Sequence, residues 1–182
     1  MDEQHLRSMR ETYAMAKPYI QRGTVGIDVG CREGGFSAQM EKDFQHIFAF
    51  DFRNKIKEFQ NNMKDITKFT YTVCGIGEQN GHSFTTSNKV GRIKDNGNVK
   101  VPIKTLDSFN YKNVGFIKYD IEGYELRAIK GSEETIKKYF PVIVVEQNKG
   151  NLDAVELLKE WGYECKGIDK MMNMDYLMVK NV

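Results

Sequence analysis

Residues 103–148, IKTLDSFNYKNVGFIKYDIEGYELRAIKGSEETIKKYFPVIVVEQN, decide the fold. They hold two short apolar runs, GFIKYD (115–120) and PVIVVE (141–146), with a helical pattern over 124–139 between them. Runs this short and this apolar read as strands buried on both faces, as in a parallel sheet. Each run ends on a carboxylate. Asp120 and Glu122 follow the first, with Gly123 directly behind them, and Glu146 closes the second. In open parallel sheets ligands collect just beyond the carboxyl ends of the strands, where these acids are expected. Buried charge at a strand end is costly without a partner, so the cluster is a candidate site.

Outward from that stretch the same alternation continues. Upstream, TVGIDVG (24–30) reads as a buried strand ending at glycine, with a helix beginning over 36–40. HIFAFD (46–51) is a second strand, 56–63 is helical, and 69–74 is a third strand. HSFTT follows the Asn80-Gly81 turn and reads as an antiparallel strand with VKVPIKTL (99–106) as its mate. Downstream, a helix over 152–161 leads to YECKGI and DYLMVK, a closing antiparallel pair. Leu6, Met9, Tyr13 and Ala16 recur at helical spacing ahead of Pro18, so an amphipathic helix is expected within 1–22. Strands alternating with helices predict an α/β protein with a mostly parallel sheet wrapped on both faces.

Composition bounds the function. At 182 residues and 40% hydrophobic content, one domain over 1–182 with its own core is expected. A net charge of +2 is too mild to imply a nucleic-acid or membrane partner. The amino terminus is charged and unlike a signal peptide, and no apolar run approaches the ~20 residues of a membrane span. Cys31, Cys74 and Cys165 are few, odd in number and far apart, which argues for a reducing, cytoplasmic setting and against a disulfide or zinc framework. His5, His46 and His82 have no metal-ligand or catalytic spacing. Lys89, Arg92, Lys94 and Lys100 make 88–100 a basic, mobile loop, either a solvated face or a lid over an anionic substrate.

The block KYDIEGYE with AIKG and PVIVVE, entered through KTLDSF and combined with the glycine-bearing turn at 26–36, resembles the FkbM-type methyltransferases. These are a branch of the class I enzymes that use S-adenosylmethionine. The resemblance runs from about residue 24 to 148. It implies a Rossmann-like fold with a seven-stranded central sheet, a terminal antiparallel strand and a small β-hairpin insertion. It also implies S-adenosyl-L-methionine as cofactor. In IDVGCREGG, Asp28, Gly30, Cys31 and Gly34 form a strand–turn–helix whose freed amides suit a polar or anionic group. In the resembled family this turn faces the amino-acid end of the cofactor. Its spacing also fits a dinucleotide-type turn or a ligand-free connection. Asp51 ends the second strand, where an acid can accept hydrogen bonds from both ribose hydroxyls, or cap the next helix. The family usually has Glu-Pro at this point; here Asp51-Phe52 gives a shorter reach and a less rigid turn. Cys74 and Gly75, with Ile76 as an apolar wall, are the expected adenine contacts, and Glu78 is within the same loop.

Methyl transfer from a sulfonium is an in-line displacement, so positioning carries much of the catalysis, and an alcohol acceptor gains from a general base. Asp120 is the expected base and borders the cofactor. Glu122 and Glu146 are expected to hold the acceptor's other hydroxyls, or to share a divalent cation with Asp120, although some methyltransferases with such clusters use no metal. Lys118 lies two residues before Asp120, on the same face of its strand, and needs a carboxylate such as Asp28 or Glu146. It acts either directly or only as an ion pair that organises the sheet. Glu125 is a first-turn acid interacting with the helix dipole, and a purely structural cap remains an alternative for Asp120 and Glu122. The resemblance implies O-methylation of a sugar or another small-molecule acceptor. The alternatives are a methyltransferase directed at nitrogen or protein, and a non-catalytic binding domain on the same fold. The chain is short for the family, so a homodimer lending pocket walls or a small acceptor each fits.

Overall fold

The expected alternation is realised in a computed structural model, which describes residues 3–85, 93–94, 97–147, 150–169 and 174–181. Helix α1 (Glu3–Ala16) precedes β1 (Thr24–Val29), α2 (Ser37–Met40), β2 (Phe44–Asp51), α3 (Ile56–Asn62) and β3 (Phe69–Val73). Next come the short strands β4 (Gly75–Ile76), β5 (Gly81–Thr85), β6 (Ile93–Lys94) and β7 (Val99–Lys104). The chain then resumes with β8 (Val114–Tyr119), α4 (Glu125–Lys130), α5 (Glu133–Tyr139) and β9 (Val142–Gln147). It closes through α6 (Asp153–Glu160), β10 (Tyr163–Asp169) and β11 (Met174–Lys180).

Among the described residues the main sheet has seven strands in the order β10-β11-β9-β8-β1-β2-β3. The pairs β1–β2, β2–β3, β1–β8 and β8–β9 are parallel, whereas β11 is antiparallel to both β9 and β10. The closing antiparallel pair is therefore present, but its last strand is wedged inside the sheet. The expected hairpin also forms, with Gly81 opposite Ile103 and Thr85 opposite Val99. It is extended on both sides into a second sheet of order β4-β7-β5-β6. Its two-residue strands carry no pattern of their own, so only their partners define them. The helical pattern over 124–139 is split where Gly131 meets the loop after β4: a Cβ there would lie 1.9 Å from the Gly77 carbonyl oxygen.

Side-chain parity explains the core. Successive residues of a strand face opposite sides, so Ile143 and Val145 join one buried cluster while Val142 and Val144 join the other. Helix α1 covers the second face, where Tyr13 and Ala16 pack with Phe36, Met40 and Phe116. Residues 88–92 and 95–96 of the basic loop, and the Met171-Met172 pair, lie outside the described residues. No helix among the described residues is long and apolar enough to cross a membrane.

Candidate active site

The carboxyl ends of β1, β2 and β8 are pressed into one rim. Gly30 N and Cys31 N donate to Phe50 O at 2.8 and 3.0 Å, tying the turn after β1 to β2. Asp120 N donates to Val29 O at 2.9 Å. Gly30 has φ +93°, and a Cβ there would sit 1.9 Å from Asp120 O, so glycine is required by conformation and by space. Arg32 N donates to Asp51 Oδ2 at 3.0 Å, which brings the end of β2 onto the same turn.

A cleft of about 360 Å³, counting space open to solvent, lies along this rim. Seven of the residues singled out in the sequence line it: Gly30, Asp51, Phe52, Cys74, Gly75, Ile76 and Glu122. Cys31 is buried within the turn and Gly34 packs against the Phe59 ring, 2.9 Å from the position of a Cβ. Burial pushes the Cys31 thiol well up and raises the Cys74 thiol to about 11, so both are neutral cysteines. Asp51 is buried and accepts from Arg53 N and Arg53 Nε at 2.8 Å each through Oδ1, and from Arg53 Nη2 at 2.7 Å through Oδ2. The sequence reading missed Arg53, although its place two residues beyond Asp51 was a signal.

The second group of acids lies on one face of the sheet by parity. Asp28 is in register with Lys118, and Glu146 with Asp175 on β11. Lys118 is buried, donates to Asp120 Oδ2 at 2.8 Å, lies 3.9 Å from Asp175 Oδ1 and sits 5.0 Å from the Phe36 ring centroid. Its close partner is thus the residue just past the end of its own strand rather than Asp28 or Glu146. Burial alone would lower the Lys118 ammonium, but Asp120 and Asp175 outweigh it and hold the charge firmly. Burial likewise works to raise Asp120, and the adjacent Lys118 charge overcomes it, keeping this carboxyl below its usual range. The Glu146 carboxyl is hydrogen-bonded to Asp120 and is raised by burial and by the Asp120 charge. The pair therefore holds one proton on Glu146 beside an ionised Asp120. Asp28 accepts from Ser37 Oγ at 2.6 Å, and burial raises it to about 6. Asp175 was missed because only the antiparallel return of β11 brings it opposite Glu146. Thr12 Oγ1 on α1 donates to its Oδ2 at 3.1 Å.

Between the two groups runs a strained turn, with Glu122 at φ +59° and Gly123 at φ +98°. The buried Glu125 side chain reaches back to accept from Ile121 N at 3.1 Å and Gly123 N at 3.0 Å. It fixes this turn by hydrogen bonds in addition to the dipole role expected of a first-turn acid. Beyond the turn, Glu78, Asn80, His82, Ser83, Tyr124 and Arg127 line a polar groove of about 700 Å³, open space included. No three His, Cys, Asp or Glu side chains among the described residues form a metal site.

The family model described as "Methyltransferase FkbM domain" matches residues 17–165. No curated protein matches the chain. Among solved structures, the methyltransferase FkbM from Methylobacillus flagellatus KT is similar with a TM-score of 0.63 at 19% identity, over 86% of this chain and 43% of that one. This chain thus spans less than half the length of that protein. An rRNA methylase from Streptococcus thermophilus aligns with a TM-score of 0.61 at 10% identity, over 94% and 95% of the two chains. Magnesium protoporphyrin IX methyltransferase from Synechocystis PCC 6803, with bound SAM, aligns with a TM-score of 0.56 at 11% identity, over 98% and 80%. At these identities the structures share the fold with this chain. Because the family model covers most of its length, the chain belongs to the FkbM methyltransferase family.

Proposed function

We propose that the chain is an S-adenosylmethionine-dependent methyltransferase that methylates a hydroxyl of a sugar or other small-molecule acceptor. The residues on the rim suit this cofactor. Asp51 and Glu122 line the cleft with carboxylates for a ligand that carries a diol, an ammonium and a sulfonium, and Cys74, Gly75 and Ile76 give it an apolar wall for a purine. Bound there, the cofactor supplies an electrophilic methyl group. Asp51 would hold the ribose and the turn at Gly30 the amino-acid end, with Asp28 behind it.

The observation that carries the reading is the Lys118–Asp120–Glu146 arrangement at the ends of adjacent strands. A carboxylate held low by Lys118 is a weak base. It orients an acceptor hydroxyl and takes its proton late, once the oxygen has begun to bond carbon and become acidic. Glu146, holding its proton, donates it to Asp120 and keeps that carboxylate aligned, while its remaining oxygen can accept from a second hydroxyl of the acceptor. The polar groove with the Tyr124 ring supports an acceptor rich in hydroxyls.

The test pairs binding with turnover. Calorimetry should detect S-adenosylhomocysteine binding to the wild-type protein. Asp120→Asn should keep that binding while losing about 10²–10⁴ in the rate of donor consumption, measured across sugars, nucleotide sugars and peptides. Undiminished turnover would remove Asp120 as proton acceptor. Consumption with peptides alone would favour the protein-directed reading, and absence of cofactor binding would sink the enzyme reading.

A further inference from the structure

An ionised carboxylate offers about four lone-pair positions, and those of Asp51 are all taken. Its four donors are Arg32 N, Arg53 N, Arg53 Nε and Arg53 Nη2, at 3.0, 2.8, 2.8 and 2.7 Å. The two backbone amides are fixed by the fold of the rim. The two guanidinium donors belong to a side chain that can rotate away, and they engage the carboxylate as a bidentate fork. A ribose diol needs two acceptor positions on this same carboxylate. Arg53 itself lines the cleft, its side chain 11% exposed, with the guanidinium carbon 5.2 Å from the Phe52 ring centroid.

We propose that Arg53 is an affinity-setting latch: its guanidinium occupies the positions on Asp51 that the 2′- and 3′-hydroxyls of the cofactor ribose require, so binding proceeds by exchange. This rests on the cofactor reading given above. After the exchange the amides of Arg32 and Arg53 still orient Asp51, so the carboxylate remains aimed at the incoming diol. The ligand's net affinity is what remains after a charge-assisted fork has been broken, and a substitution that removes the fork strengthens binding. This sign is opposite to that of an ordinary binding residue.

The experiment is a calorimetric titration of S-adenosylhomocysteine into wild type, Arg53→Met and Arg53→Lys, with the unliganded melting curve of each as a check on folding. Arg53→Met is expected to bind about tenfold more tightly than wild type, and Arg53→Lys, which keeps the charge but not the planar fork, is expected to fall between them. The gain should vanish with an S-adenosylhomocysteine analogue lacking both ribose hydroxyls. Equal affinities in the three proteins, or weaker binding by Arg53→Met, overturn the latch while leaving the cofactor reading intact. Binding by none of them overturns both.

Discussion

Burial raises the Asp28 carboxyl to about 6, so near pH 7 the native state holds an ionised group that the unfolded chain ionises more easily. For an acid whose native pKa is raised, the stability it lends is fully present below its ordinary value, near 4, and is lost as pH rises through about 6. A gap of about two pH units corresponds to roughly 3 kcal/mol. Asp28→Asn keeps an acceptor for Ser37 and abolishes the charge. Urea denaturation should therefore find the variant more stable than wild type by about 1–3 kcal/mol at pH 7.5. The advantage should disappear as pH falls toward 4, and a gain independent of pH would contradict the assignment. A charge kept at such a cost in the interior is consistent with a functional role. The neighbouring Lys118 shows the complementary case: one ammonium neutralises part of a cluster of four carboxyls, and the surplus charge is relieved by the proton on Glu146.

At the level of elements, the site depends on how closely two strand ends approach. Gly30→Ala would drive a Cβ into the Asp120 carbonyl and impose φ +93° on an L-residue. It should cost about 2–4 kcal/mol by chemical denaturation and abolish binding of S-adenosylhomocysteine. Retention of both would mean that the two strand ends are not in contact. This contact was half legible in the sequence. The glycine after TVGIDV and the acid after GFIKY announced two strand ends, and the parallel alternation placed them side by side. Asp175 and Arg53 were not legible. Asp175 acquires its meaning from the antiparallel register of β11 against β9, and Arg53 from a rotamer directed back at its own strand. Glu125 illustrates the same limit. A first-turn acid suggests a dipole contact, whereas the left-handed residues at Glu122 and Gly123 aim two amides at its carboxylate.

For the whole molecule, the sheet order has an energetic seam at β11, which joins β9 to β10 and contributes the wholly buried Leu177 and Met178 to opposite faces. Leu177→Ala should lower global stability by about 2–5 kcal/mol. Equilibrium denaturation checks the magnitude, and a loss under 1 kcal/mol would mean that β11 is not held in the core. Because β10 precedes β11 in the chain yet lies outside it, the first cannot reach the body of the sheet until the second has arrived. β11 must therefore dock first, or together with β10 as a ribbon. Until it does, β9 is apolar on both faces and bare along one side, an invitation to strands of other molecules. Newly made chains should thus be most prone to clumping in that interval, before β11 docks.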